Sequence, residues 1–269
     1  MIPKTIHYCW FGRNPKPKLA TKCIRSWRKY CVDYEILEWN EDNFDVSSAP
    51  LYVRQAYEAK KWAFVSDYVR LWAMVTFGGI YMDTDVELIK PIDRFLEHNA
   101  FSGFEDGQHV PTGIMACCKD FPLFKELMSF YDTARFLNED GSFNQTTNTV
   151  LITSVALSHG LKQNNEYQVI SGLALYPKDV FCPVSYSTGM LEKTENSVAI
   201  HWFAGSWHTA KERDARLQYL KHIQSLKRKE VRINLVHNIV HLPNSILKRI
   251  LKEKQYESLK RRLKSPRRE

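Results

Sequence analysis

Phe77-Gly78-Gly79-Ile80-Tyr81-Met82-Asp83-Thr84-Asp85-Val86-Glu87 is the stretch on which the fold of this chain turns. An apolar run opened by two glycines and closed by acids reads as a buried strand emerging into a cleft. On an extended segment side chains alternate, so Asp83 and Asp85 are expected to point to the same side. Two carboxylates that close repel unless a cation sits between them and a ligand. Mg²⁺ and Mn²⁺ accept carboxylate oxygens together with those of a diphosphate. The pair therefore predicts a metal clamp for a phosphorylated substrate. A solvated strand end is the alternative, and the apolar residues ahead of the motif favour the clamp.

Outward from this stretch, helix-like and strand-like segments alternate, the pattern of an α/β sheet covered by helices. Residues 63–77, apolar nearly all round, predict an internal helix that Gly78-Gly79 ends. Residues 5–10, 34–39, 100–104, 113–118 and 198–202 predict strands. Residues 19–30, 123–136 and 147–159 predict helices. No repeat or low-complexity segment is present.

The 269 residues, 44% of them hydrophobic, are enough for one large core or a core plus an appendage. No run approaches the roughly 18 apolar residues of a membrane-spanning helix, and the first residues carry no signal-peptide pattern. The six cysteines show no Cys-x-x-Cys spacing and predict free thiols in a reducing, cytoplasmic compartment. From Lys211 to the end, 18 Lys+Arg stand against 6 Asp+Glu, a net of +12 within a total of +8. Ile233, Val236, Ile239 and Val240, and after Pro243 Ile246, Leu247, Ile250 and Leu251, recur at helical spacing with basic residues opposite. Such a tail either lies on anionic lipid or packs on the body with a solvated charged face.

Two further clusters bear on the clamp. Asp67 and Arg70 are the only charges in the apolar helix and share a face. They form either an internal ion pair or contacts to sugar hydroxyls and an anion. Later, His201-Trp202-Phe203-Ala204-Gly205-Ser206-Trp207-His208 offers a nitrogen from His201 to the same metal. Ser206 and Trp207 could reach a diphosphate through the hydroxyl and the indole N–H.

Four blocks in order, Ile2 to Gly12, Ala63 to Arg70, Gly78 to Asp85, and His201 with Gly205-Ser206-Trp207, resemble the DXD-containing retaining glycosyltransferases. That family includes initiating α-1,6-mannosyltransferases, α-1,4-galactosyltransferases and capsular polysaccharide transferases. The resemblance implies a GT-A-type, Rossmann-like mixed sheet flanked by helices over residues 1–210, with residues 211–269 as a basic helical appendage outside it. It also implies a nucleotide-sugar donor, by family habit a UDP-hexose, and a divalent ion, usually Mn²⁺. Carried over, Asp85 binds the metal directly and Asp83 binds the ribose or the metal through water. Asp67 and Arg70 hold the donor sugar, Tyr81 lines the nucleotide site, and Ser66 sits beside it. His201 is a late metal ligand, with Ser206 and Trp207 at the β-phosphate. Trp10 stacks on the base, and the backbone of Ile6, His7 and Tyr8 reads its edge. Where family members often carry a Thr-Gly-Pro-like turn, this chain has Asn144-Gln-Thr-Thr-Asn-Thr149, which makes Asn148 an acceptor-side candidate.

Two other classes compete. Asp-x-Asp at a strand end also opens haloacid-dehalogenase-type phosphatases, but those place it after the first strand, and here 82 residues precede it. A non-catalytic module that binds an anionic surface would explain the tail. It would leave Asp67, Asp83 and Asp85 without a purpose, and acids repel a nucleic-acid backbone. The partners expected are a nucleotide sugar, a glycan acceptor linked to lipid, and the inner membrane face, with no nucleic acid.

Overall fold

The computed structural model describes residues 1–206 and 208–240, with side chains described to Val231. The basic stretch from 241 onward and the apolar positions Ile233 to Val240 that set its helical spacing lie outside the described side chains. Contacts along the chain divide it into one unit, Met1–Asp214, and another, Ala215–Glu269.

The first unit is built on a seven-stranded mixed sheet in the order β2-β1-β3-β6-β5-β8-β7. The strands are β1 (Thr5–Cys9), β2 (Glu35–Trp39), β3 (Gly79–Met82), β5 (Ala100–Gly103), β6 (Ile114–Cys117), β7 (Gln168–Ile170) and β8 (Leu173–Tyr176). Strands β2, β1 and β3 run parallel, and β6 runs antiparallel to both β3 and β5. A separate two-stranded ribbon pairs β4 (Val86–Leu88) with β9 (Ala199–His201). This is the mixed α/β sheet flanked by helices that the sequence predicts.

Period-two alternation sorts the strand residues onto two cores. Tyr81, Met115, Cys117, Leu173 and Leu175 face one. That side is covered by α2 (Leu51–Glu58), α3 (Trp62–Phe77), α4 (Pro122–Thr133) and α5 (Asn148–Ser158). Ile6, Ile80, Met82, Ile114, Ala116 and Ala174 face the other, covered by α1 (Lys18–Tyr30) and α6 (Lys178–Phe181). The central strands are therefore covered on both faces and read as apolar runs, whereas the edge strands β2 and β7 stay partly exposed.

Two helices place the motif. Helix α1 buries Ala20, Cys23, Ile24 and Trp27 at helical spacing. The Trp27 indole donates to the Val86 carbonyl at 2.8 Å, and the Leu88 amide donates to the Ser26 hydroxyl at 2.9 Å. The strand after the motif is thus fastened to α1. Helix α3 ends at Gly78 (φ 70°), followed by Gly79 (φ 105°). At Gly79 a Cβ would lie 2.6 Å from the Thr5 carbonyl oxygen, so glycine is what lets β3 come up beside β1.

One sequence expectation is corrected. Asp83-Thr84-Asp85 is a turn between β3 and β4 and not an extended segment, closed by the Val86 amide donating to the Asp83 carbonyl at 2.9 Å. The two carboxylates converge because the chain folds back there, not by strand alternation. Helix α7 (Ala210–Val240) opens the basic tail, and Leu217, Tyr219 and Leu226 are exposed on it. Among the described residues no helix is long and apolar enough to cross a membrane.

Candidate active site

Four stretches meet at the C-terminal end of β3. Because β6 runs antiparallel to β3, the start of β6 lies beside the end of β3, and the Asp83 amide donates to the Gly113 carbonyl at 2.8 Å. The ribbon register sets Val86 opposite His201 and so brings His201 beside Asp85. The next turn closes over the motif, with the Ala204 amide donating to Asp85 Oδ2 at 2.7 Å. Asp83, Asp85 and His201 each offer one ligand atom, and these atoms lie within 4.8 Å of one another.

Arg70 is the strut of the site, only 7% exposed. Nη2 contacts Asp67 Oδ1 at 3.0 Å and Asp83 Oδ1 at 3.3 Å. Nη1 donates to the Thr112 carbonyl and hydroxyl, each at 3.0 Å, and to Asp83 Oδ2 at 3.3 Å. Nε donates to the Ser66 carbonyl at 3.3 Å. Its guanidinium also covers the Tyr81 ring at 4.8 Å. Each nitrogen of the fork is engaged, and the ion pair the sequence offers is present, with Asp83 as a second carboxylate beside Asp67. Arg70 carries charge to two carboxylates and bolts the 112–113 strap to α3.

The titrations follow from this packing. Burial pushes the Asp67 carboxyl up, Arg70 pulls it back, Asp83 adds to the rise, and it settles at about 7. Asp83 is raised by burial and by Asp85 against the pull of Arg70. Asp85 ends below the usual range, because His201 and the Ala204 amide outweigh its burial. His201 would be lowered by burial but is held well above its usual value by Asp85, 3.4 Å away. Two carboxylates and an imidazole are a donor set suited to Mn²⁺ or Mg²⁺, so these residues fit the metal the sequence implies.

The other expected site residues divide. Tyr81 donates from its hydroxyl to Asp83 Oδ1 at 3.0 Å and is buried. Ser66 donates back along α3 to the Trp62 carbonyl at 3.0 Å. Ile6 and His7 lie mid-sheet, paired with β2 on one side and β3 on the other. The His7 ring is buried, bonded to the Gly78 carbonyl at 2.9 Å and to the Trp39 indole at 3.1 Å, and burial lowers it to about 4. Tyr8 donates to Glu38, and Trp10 stays half-buried with its indole donating to the Asn14 carbonyl at 2.6 Å. Lys16 lies over both the Tyr8 and Trp10 rings and pairs with Glu38 at 2.7 Å. Asn148 is buried, donating to the Asp67 carbonyl at 2.7 Å and accepting from Tyr131 at 2.5 Å. Ser206 is exposed on the turn after β9, and Trp207 lies outside the described residues.

Sequence reasoning missed the strap Thr112-Gly113. A Cβ at Gly113 would lie 2.9 Å from His201 Cε1 and 3.2 Å from Asp83 Oδ2. The one signal available was a glycine just ahead of a strand.

Residues 17–102 match the family described as the glycosyltransferase sugar-binding region containing the DXD motif. The Asp-x-Asp within the matched residues is Asp83-Thr84-Asp85, whose two carboxylates the structure sets beside His201. Inositol phosphoceramide mannosyltransferase 3 of Schizosaccharomyces pombe is 25% identical over 131 residues, 47% of this chain. The match spans 36% of that protein, about a third of its length. Similar solved structures include the PaToxG glycosyltransferase, TM-score 0.46 at 17% identity, covering 58% of this chain and 69% of that one. The galactosyltransferase LgtC in complex with donor and acceptor sugar analogs has TM-score 0.41 at 12% identity, covering 82% of this chain and 95% of that one.

Proposed function

We propose that this chain transfers a hexose from a nucleotide sugar, UDP-linked, to a glycan acceptor with retention, using Mn²⁺ or Mg²⁺. Residues 1–210 are the catalytic domain and 211–269 a basic tail. The observation that carries the reading is the convergence of Asp83, Asp85 and His201 from the end of β3 and from β9. The family match over residues 17–102 supports sugar transfer as the chemistry.

Asp85, His201 and Asp83 would hold the divalent ion, which neutralises charge developing on the diphosphate leaving group when bound. The chain's own part is positioning. Arg70 fixes Oδ1 of Asp67, whose second oxygen accepts from a hydroxyl of the donor sugar. The Ala204 amide holds Asp85 Oδ2 and so orients the carboxylate. Trp10 and its neighbour Lys16 sit at the C-terminal end of β1, where an aromatic face can stack on the base. No side chain is marked as a nucleophile, and front-face attack is proposed. The acceptor oxygen bonds to the anomeric carbon as the bond to the diphosphate breaks, and its proton passes to a leaving phosphate oxygen.

The tail is assigned to an anionic membrane surface at the cytoplasmic face, and the acceptor to a lipid-linked glycan. The net +12 from Lys211 onward supports the surface, and the ceramide in the relative's name supports a lipid acceptor.

The test is a thermal-shift panel of UDP- and GDP-sugars with and without Mn²⁺ on wild type and Asp85→Ala. Wild type should gain stability only with a sugar nucleotide and metal together, and Asp85→Ala should melt normally alone but lose the gain. A full gain in Asp85→Ala would overturn the proposal.

A further inference from the structure

On the side of the sheet covered by α6 lies a cavity of about 320 Å³, lined by Arg94, Phe95, Tyr176, Pro177, Asp179 and Asn196. That volume is at the low end for ligand pockets, room for a single ring and not for a nucleotide sugar. None of Asp83, Asp85 and His201 lines it. Asn196 stands five residues before His201, a span of at most about 18 Å of extended chain.

One part of the lining is apolar and already fixed. The Phe95 and Tyr176 rings meet edge-on at 4.9 Å. The Tyr176 hydroxyl is bonded to His98 Nε2 at 2.7 Å, and Pro177 follows at the start of α6. A ligand that binds against this wall has little left to order.

The polar part has unspent bonding capacity. Asp179 Oδ2 accepts from the Thr194 hydroxyl at 2.7 Å and from Asn196 Nδ2 at 3.3 Å. Among the described residues nothing donates to Asp179 Oδ1 or to Asn196 Oδ1. The Arg94 guanidinium lies 4.7 Å from the centre of the Phe95 ring, and among the described residues its N–H groups have no acceptor. Arg94 and Asp179 thus line one cavity without pairing with each other.

This combination selects a chemistry. A phosphate or carboxylate would suit Arg94 but be repelled by Asp179, and an ammonium would meet the reverse. A neutral ligand whose hydroxyls both donate and accept satisfies the two together. A pyranose adds an apolar C–H face for the wall of Phe95, Tyr176 and Pro177. We propose that this cavity binds one neutral hexopyranose, at a second site outside the cleft of Asp83, Asp85 and His201. Such binding needs neither nucleotide nor metal, so it is tested apart from the transfer reaction.

The experiment is saturation-transfer NMR on the full chain without nucleotide or metal, with methyl α-glucoside, α-galactoside and α-mannoside as probes. At least one should show transfer to its ring protons. Arg94→Ala and Asp179→Asn should each weaken its binding about tenfold, the worth of one hydrogen bond to a charged group. Asp85→Ala should bind it as wild type does. Arg94 is exposed and Asp179 half-buried, so neither change opens the core, and circular dichroism melts check that each variant is folded. Silence of all three probes would overturn the site, as would wild-type binding in both Arg94→Ala and Asp179→Asn. Loss of binding in Asp85→Ala would move the sugar to the other cleft and equally overturn it. Displacement of the probe by inorganic phosphate or by uridine would overturn the choice of a neutral sugar.

Discussion

Replacing Gly113 by alanine adds one methyl group at the point where the strap meets the proposed cation ligands. Gly113 has no left-handed φ, so alanine meets no backbone obstacle, and the cost is spatial. The new Cβ would stand 2.9 Å from His201 Cε1, whereas ordinary carbon contacts begin near 3.5 Å. The imidazole must therefore retreat by roughly half an ångström, or the strap must, and Arg70 holds the strap through two hydrogen bonds to Thr112 at 3.0 Å. The strap being bolted, the ring moves. Metal sites tolerate about 0.2 Å of error in ligand distance. Disturbing a group that orients a ligand typically costs about 10- to 100-fold in metal affinity. Gly113→Ala should thus bind Mn²⁺ that much more weakly, read by titration of the Mn²⁺ electron paramagnetic resonance signal in the presence of UDP. Its melting temperature without metal should stay within about 4 °C of wild type, since the clash is relieved by one movable ring. Affinity within twofold of wild type would refute the reasoning.

Two further outcomes follow from buried charge. Arg70→Met leaves Asp67 and Asp83 without their counter-charge, a loss of about 3–5 kcal/mol. At about 2–4 °C per kcal/mol for a unit of this size, calorimetry should show a drop of roughly 6–20 °C, and a drop under 2 °C would contradict the strut. His7, lowered to about 4 by burial, resists protonation when folded but not when unfolded. Stability is therefore full above the unfolded value near 6.5 and drains as pH falls toward 4, by roughly 3 kcal/mol. Urea unfolding at about pH 7 and pH 4.5 should show that loss in wild type and a much smaller one in His7→Asn.

The large elements were legible because their signals are periodic and long. Helix α3 announces itself by an unbroken apolar face and stops at two glycines, β5 and β6 are short, mostly apolar runs, and β2 alternates glutamates with apolar residues. What escaped was short or non-local. Strands β7 and β8 have three and four residues, and the Ser171-Gly172 turn between them, with both φ positive, was the one local mark of a hairpin. Helix α2 hides in a mixed stretch after Pro50. At the site, the acids and His201 could be named from their motifs, but the turn that joins Asp83 to Asp85 could not, because alternation was a sufficient account on paper. The dual engagement of Arg70 by Asp67 and Asp83 was equally invisible. Sequence spacing shows that residues 67 and 70 share a helix face, but not that residue 83 folds down onto it.

The ribbon of β4 and β9 has one more implication. Only three residue pairs fix its register, with Val86 opposite His201 at its end. A slip by a single residue would present Ile200 or Trp202 where the imidazole now stands, since neighbours on a strand face opposite ways. The third proposed ligand is thus set like a key with one working notch. Insertions between Glu192 and Val198 that keep the notch aligned should be harmless to the proposed cation binding, whereas changing the parity of the ribbon should abolish it without unfolding the chain.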